Sequence, residues 1–595
     1  MYTTDINGIL NHIHSANSLA SIFLSNPTDS NAASQLNDEL KYLSEYTKTI
    51  VPTSFIPPTD GRITAFVLNA QAVISNPNTK AVTRSRFYML LYNLCSWNVQ
   101  LRRLFSSTNN MCAAVFHGLQ HSIEEQLGPQ NLIDVLRLLQ LLTYERGFVV
   151  GNWTFELIKY LNDEILKEPD VEWLPYCVAI LCNLLGRSKT VSSEFKQKAS
   201  RPKYYRKKMP RRFMDLLAHD SRLVVVCCLL IIGRLDTTVT SKVFSHENVS
   251  QTIMCGFNVL SVPDHILTVQ YAVDFLKSIL VNENEAVSQL NEISRQYPTF
   301  EYFEASICTL ASLLVVLDGR SEEGLKIYEL LLSLCKIPEL QQPVCSVILK
   351  CAPPQKRNTR PTQAVVRTAE MLVEESPLPE VPIYALKLLN YLVKEAINDS
   401  ELNTYFENPS NLISVVEVNV KTNIETSSDS VVFQCQRISE GLKLAQTLGS
   451  DKDVNEKLRT VLTSSLCAHI SESQFVSNNC VVYCSPIQPP QIPEWNKHGV
   501  SIILELIKFL SILKDHSRIH KDLYWRMLEE DRLLPFIAYA IVRGDSEQIY
   551  GALKLIPQCE QNQRFPWMTL VGHLRNCSRS LATNSTTPAT NGQHR

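Results

Sequence analysis

The arrangement of apolar and polar positions is the strongest signal in this chain. One unit recurs: an amphipathic helix that ends in large apolar residues and is followed by a polar break. It is written FYMLLYNLCSWN (87–98), VLRLLQLLTYER (135–146), VAILCNLLGRSK (178–189), VVVCCLLIIGRLDT (224–237) and YAVDFLKSILVNE (271–283). It continues as IYELLLSLCK (327–336), ALKLLNYLVKE (385–395), ISEGLKLAQTLG (438–449) and LELIKFLSILKD (504–515). Aligned on their last leucines (Leu94, Leu142, Leu185, Leu235, Leu280, Leu334, Leu392, Leu448 and Leu513), the steps are 48, 43, 50, 45, 54, 58, 56 and 65 residues. The first four lie close to the roughly 40–47 residues of armadillo and HEAT repeats, and the later ones read as stretched by loops. Helices apolar over more than one face need neighbours before and behind them, and stacking two or three helices per repeat supplies both. The pattern predicts an all-α, armadillo/HEAT-like, right-handed superhelical solenoid with a concave binding surface.

Composition agrees. Glycine numbers 18 in 595 residues, about 3% against a usual share of roughly 7%, and helices are the elements that avoid glycine. The 57 basic and 59 acidic side chains nearly cancel, leaving a formal charge of -2 and no global pull toward nucleic acid or anionic membrane. Seven of the 17 cysteines, including Cys95, Cys182, Cys227 and Cys228, sit in apolar runs, where free cysteine behaves as a small hydrophobe of a reducing compartment. The strongest apolar run, LVVVCCLLII (223–232), is too short for a bilayer. No basic n-region precedes an apolar stretch at the N-terminus, so a soluble cytoplasmic protein is expected.

Candidate loops fall at 353–362, 424–430 and 471–498, and the proline-rich SPIQPPQIPEW in the last of these stops any helix. The repeat domain is expected over 1–575, with 576–595 a disordered Ser/Thr/Asn-rich tail.

Chemistry is hard to find. Walker, Rossmann, zincin, nucleophile-elbow and EF-hand spacings are missing, and His117 and His121 stand at i, i+4 without a third ligand nearby. We expect neither enzyme activity, nor a metal, nor a cofactor. The W-x-x-x-N ladder of peptide-carrying importins is missing too: Leu101, Leu157 and Cys177 follow Trp97, Trp153 and Trp173. A basic run spans Lys196 to Arg212, nine basic residues in seventeen, including Lys203, Arg206, Lys207, Lys208, Arg211 and Arg212. It reads first as a solvated inter-helix loop, with an acidic protein partner next and nucleic acid or a nuclear import signal after it. At 530–558, Asp531 and Pro535 start a helix carrying Leu533, Leu534, Ile537 and Ile541 on one face. Gly544 closes it, and a second helix carries Ile549 and Leu553 until Pro557 ends it. This terminal apolar face needs a cover, either the tail or a second copy of the chain.

The ordered series LLQLLTY (138–144), LPYCVAILCNLL (174–185), LLAHDSRLVVV (216–226), KVFSHENVSQTIMCGFNVL (242–260), TVQYAVDFLKSILVN (268–282) and DRLLPFIAYAI (531–541) resembles the family of the cancerous inhibitor of protein phosphatase 2A, in an invertebrate-type form. The match covers roughly 130 to 560. The resemblance implies an armadillo scaffold that homodimerises through Leu533, Leu534, Ile537, Ile541, Ile549 and Leu553. It further implies binding to the B-prime regulatory subunits of protein phosphatase 2A, restraining dephosphorylation of substrates such as the Myc transcription factor. The alternative it implies is a mitotic DNA-damage adaptor that binds a topoisomerase-binding BRCT-domain scaffold and tethers broken chromosomes, with nuclear or mitotic chromosome access. Family members continue into a long parallel coiled coil, whereas the tail here carries no heptads. Leu334, Ile337 and Glu339 spell L-x-x-I-x-E, the string that B-prime subunits recognise in extended peptides, but Leu334 ends an apolar helix.

Overall fold

The computed structural model describes residues 6–49, 60–108, 110–125, 128–145, 147–199, 203–235, 242–245, 247–281, 296–299, 301–317, 319–354, 358–372, 378–406, 409–421, 428–474 and 497–584. Among the described residues there are helices and turns and no strand. The chain divides into two compact units, Met1–Ser294 and Arg295–Arg595.

In the first unit, one row of helices runs Ser30–Thr49, Ala81–Trp97, Pro129–Tyr144, Leu174–Arg187, Arg222–Leu235, Thr268–Leu280, each packed on the next. A second row, Ile6–Ser25, Gly61–Ser75, Met111–Glu124 and Asn152–Ile165, backs it. The second unit repeats the scheme. Glu322–Cys335, Glu380–Asn398, Ser428–Leu448, Lys497–Leu513 and Ser546–Glu560 form its row, backed by Phe303–Val316, Pro361–Glu370, Pro409–Val420 and Lys452–Val461. Two stacked rows in which each helix meets only its neighbours make an armadillo/HEAT-type solenoid.

All nine sequence repeats land in these two rows. Eight of their nine terminal leucines are buried; the side chain of Leu235 lies outside the described set. The leucines repeat because each row helix is covered on three sides: by its predecessor, its successor and the backing row. Local signals set the breaks. Pro129, Pro175, Pro338, Pro361 and Pro535 stand in first turns, where the missing N–H costs nothing. The Asn98 Oδ1 accepts from the N–H groups of Gln100 and Leu101, and Ser321 Oγ from that of Gly324.

A buried amide registers the row. Asn93 donates to the Ser44 carbonyl at 2.9 Å and the Thr47 hydroxyl at 3.2 Å. Two repeats on, Asn183 donates to the Gln140 carbonyl and the Thr143 hydroxyl, both at 3.1 Å. In each case a carbonyl and a hydroxyl three residues apart on the preceding row helix take the same amide.

Several boundaries are corrected. The last helix runs Trp567–Asn584, so 576–584 belong to the folded domain because Leu570 and its neighbours find a helix to pack on; 585–595 lie outside the described residues. The loop expected at 353–362 yields Pro361 and Thr362 to a helix, that at 424–430 yields 428–430, and that at 471–498 yields 471–472 and 497–498. Residues 355–357, 422–427 and 475–496 lie outside the described set. Asp531 opens a 3-10 turn and caps nothing, since the helix starts at Leu534. Pro557 stands inside a helix that continues to Glu560.

Candidate protein interface

Three surfaces were singled out by sequence or are built by the rows: the C-terminal helices, the basic run, and the solvent-facing sides of the row helices.

At the C-terminal end the predicted dimer residues divide. Leu533, Leu534 and Ile537 are buried inside the chain, and Ile541 and Ile549 are half-buried. Only Leu553 is open, at 52% exposure, with Tyr550 beside it at 60%. The apolar face of Leu534–Arg543 is covered by the chain's own last helix, Trp567–Asn584. That helix brings Trp567, Met568, Leu570, Val571 and Leu574 in its first half, while Ser, Arg and Asn dominate beyond Arg575. On its outer side Met568 is 83% exposed. The Asp545 side chain caps Ser546–Glu560 through the N–H groups of Glu547 and Gln548.

The basic run is helical, not a loop: Lys189–Ala199 and Lys203–Asp215 take up most of it, and Pro210 sits inside the second helix. Arg212 is structural. Its guanidinium donates to the Ile165 carbonyl at 2.9 Å and pairs with Asp170, tying this helix to the end of Asn152–Ile165. Lys208 and Arg211 are exposed, and the side chains of Lys203, Arg206 and Lys207 lie outside the described set. His117 is exposed and bonds Gln120, and His121 pairs with Glu124. No group of three or more metal-ligating side chains forms among the described residues. In the L-x-x-I-x-E string, Leu334 is fully buried, Ile337 caps a helix and Glu339 lies in its first turn. This is not the extended, accessible peptide that such docking needs.

The side chains that meet on the row surfaces were not foreseen. In the first unit, Tyr92, Arg137 and Tyr176 come together from three successive row helices, and the loop residue His265 meets Tyr176. Arg137 Nε donates to the Tyr176 hydroxyl at 2.8 Å, and its guanidinium lies 5.2 Å from the Tyr176 ring centre and 6.0 Å from that of Tyr92. The His265 ring meets Tyr176 edge-on at 5.6 Å. Burial holds His265 below the usual histidine value, with Asp264 at 3.7 Å opposing. Burial also raises the Tyr92 phenol to about 12, with Arg137 opposing. Further along the same row Tyr144 lies under Arg187 at 4.9 Å, Arg187 faces Asp274 at 3.9 Å, and Tyr271 donates to Asn183 at 2.9 Å.

The second unit uses other chemistry. Lys326 pairs with Glu329 at 2.9 Å, Lys443 with Glu440 at 3.1 Å, and Lys508 with Glu505 at 2.7 Å, each one turn apart. Lys387 reaches Glu440 on the next helix at 3.9 Å, and Lys443 also pairs with Glu547. Burial pulls the Lys443 ammonium down, but Glu440 and Glu547 outweigh it and hold its pKa above the usual lysine value. Gln446 and Asn390, two residues before the last leucine of their repeats as Gln140 and Asn183 are, bond Glu505 and Thr447. That shared amide position was available in the alignment of leucines and is the one signal that would have located the inter-helix bonds.

Two rows of packed helices with paired and stacked side chains on their faces define a helical-repeat scaffold of the armadillo type. Among the described residues no helix is long and apolar enough to cross a membrane. The family profile described as "CIP2A, N-terminal" matches residues 63–594, and the chain belongs to that family. Among solved structures it is similar to SYS-1 in its complex with POP-1, at 12% identity over 93% of this chain and 99% of that one, TM-score 0.38. It is also similar to importin beta (11%, 98% and 81%, TM-score 0.33) and to UNC-45 from Drosophila melanogaster (10%, 97% and 88%, TM-score 0.28).

Proposed function

We propose that this chain is a scaffold directed at protein phosphatase 2A, binding its B-prime regulatory subunits and restraining the dephosphorylation of their substrates. The observation that carries the reading is membership of the CIP2A family across 63–594. The two-row architecture supports it, because a stack of helices offers a long side-chain surface to a protein partner. The compartment that goes with this reading is the cytoplasm, with access to chromosomes in mitosis. The test is retention of a purified B-prime subunit on the immobilised chain, beside a B-prime-binding L-x-x-I-x-E peptide as working control. Retention is expected. A subunit that binds the control peptide and ignores the chain would overturn the reading.

The same reading includes self-association at the C-terminal end, on a smaller surface than the sequence suggested. Leu553 and Tyr550 are its contact residues, and Leu533, Leu534 and Ile537 are the packing beneath. In light scattering, Leu553→Glu is expected to give a folded monomer. Ile537→Glu instead buries a carboxylate inside one chain and lowers its melting temperature. A wild-type monomer at tens of micromolar would remove the dimer.

A further inference from the structure

Four cysteines gather in the first repeat of the second unit. Cys308 stands on Phe303–Val316, Cys335 ends Glu322–Cys335, Cys345 lies within Pro338–Lys350, and Cys351 is the residue that follows that helix. They form two pairs. The Cys335 and Cys345 sulfurs are 3.9 Å apart, and both side chains are buried. Cys351 Sγ lies 3.9 Å from the Cys308 carbonyl oxygen, and the Cys308 thiol bonds that of Cys351. Both members of this second pair are half-exposed. A further thiol contact, Cys182 with Cys227 in the first unit, is buried like the Cys335 pair.

Access and freedom of movement separate these pairs. A disulfide needs an oxidant at one sulfur and then a closure that brings the two sulfurs to about 2.05 Å. In a close-packed core that shift drags its neighbours along, and Cys335 is flanked by the fully buried Leu334. Cys351 instead has extended backbone and stands just past its helix, before Ala352 and Pro353, so closure moves only a helix end. The protons are unevenly held as well. Burial, reinforced by the bond to Cys351 and its charge, pushes the Cys308 thiol up to about 12, so Cys308 keeps its proton at neutral pH. Attack on an oxidant falls to Cys351, with Cys308 as the resolving thiol.

We propose that Cys308 and Cys351 form a redox modification site, a dithiol that peroxide converts reversibly to a disulfide. The Cys351 sulfur attacks one peroxide oxygen, the O–O bond breaks, and a sulfenic acid forms with release of one water. The Cys308 sulfur then attacks the Cys351 sulfur, the S–O bond breaks, and the hydroxyl leaves with the Cys308 proton as a second water. Two thiols thereby give up two electrons and two protons, and one peroxide becomes two waters. A thiol reductant reverses the bond by exchange. The link joins residues 43 apart in sequence. It ties Phe303–Val316, which packs on Glu322–Cys335, Pro338–Lys350 and Pro361–Glu370, to the point where the chain leaves one repeat for the next. One accessible pair beside buried ones fits a transient, sensing disulfide better than a structural framework.

The experiment treats the purified full chain, reduced and then freed of reductant, with hydrogen peroxide at a dose that oxidises free cysteine in a parallel tube. Remaining thiols are blocked with iodoacetamide, and tryptic peptides are mapped without reduction. Cleavage puts Cys308, Cys335, Cys345 and Cys351 on four separate peptides, 296–320, 327–336, 337–350 and 351–356. The expected product joins 296–320 to 351–356, while 327–336 and 337–350 stay alkylated, and dithiothreitol returns both partners to the alkylatable form. The oxidised chain is expected to melt a few degrees higher, because the link restricts the unfolded chain, and to exchange amides more slowly over 303–316 and 338–350. With dimedone present, Cys308→Ser is expected to trap an adduct on Cys351, and Cys351→Ser to show none on Cys308. A wild-type chain in which Cys308 and Cys351 both stay alkylated would overturn the proposal. So would a Cys335–Cys345 bond formed as readily, or an adduct on Cys308 in place of Cys351. The wild-type map needs no substitution, so it decides the matter even if a variant fails to fold.

Discussion

The first unit decorates its row with arginines lying on tyrosine faces, and the second with lysines that find a glutamate one turn away. Arg137 and Arg187 lie over Tyr176 and Tyr144, whereas Lys326, Lys443 and Lys508 pair with Glu329, Glu440 and Glu505. Beneath both faces the leucines are the same, and eight of nine repeat-ending leucines are buried. In a stack of repeats the core fixes where a side chain stands, and the chemistry of the outer face varies without disturbing it. A face of internally matched charges is stabilised by its own pairs and holds its side chains still. On the arginine face Arg187 is matched by Asp274 at 3.9 Å, whereas Arg137 has no carboxylate partner among the described residues.

The comparison can be broken at its base. Leu142→Ala and Leu392→Ala remove equivalent buried leucines, and each is expected to cost about 2–5 kcal/mol in denaturant unfolding. Hydrogen exchange should show the loss concentrated among neighbouring repeats of the same unit. Loss spread evenly over both units would contradict the repeat picture. A smaller effect separates the two faces. Lys443→Ala removes the partner of Glu547 and leaves Glu440 with only Lys387 at 3.9 Å, and is expected to cost about 1–2 kcal/mol, the pairs being only partly buried. Arg137→Ala loses its ring contacts and its bond to the Tyr176 hydroxyl, which water replaces at this half-buried site, and is expected to cost about 1 kcal/mol or less. Equal costs would mean the arginine face is as self-satisfied as the lysine face.

The smallest effect concerns pH. His265 in the first unit and His498 in the second are both held by burial below the usual histidine value of 6.5. The unfolded chain therefore binds protons that the folded chain refuses, and stability falls as pH drops through 6.5 toward the folded values. Melting temperature is expected to decline by a degree or so between pH 7 and 5.5. His265→Gln and His498→Gln should each flatten part of that slope. A melting temperature that rises over the same interval would reverse the sign for both units.

The rows were legible because burial on several sides forces leucine and its apolar companions to recur, and recurrence survives any variation in loop length. The interface was not. Tyr92, Arg137, Tyr176 and His265 belong to four separate elements, and nothing local marks them as neighbours. The basic run was visible as charge, yet Arg212 is consumed by the Ile165 carbonyl and Asp170, a fate that depends on a helix some forty residues earlier. Leu533, Leu534 and Ile537 were read as surface because the chain beyond Arg575 shows no apolar periodicity, whereas Trp567–Asn584 runs through that point as one helix packed on Leu534–Arg543. A helix that only has to close an end needs one buried edge, here marked by Leu570.

The buried amides Asn93 and Asn183 give the row a pitch. By fixing Ala81–Trp97 and Leu174–Arg187 at the same offset against their predecessors, they set the spacing between successive faces of the first unit's row. Neighbouring helix axes stand about 8–10 Å apart, and an extended chain advances roughly 3.3 Å per residue. A strand laid across the row therefore meets a new helix about every third residue. Ligands for this face should read as triplets, and inserting a single residue between two contact positions should throw every later contact out of step.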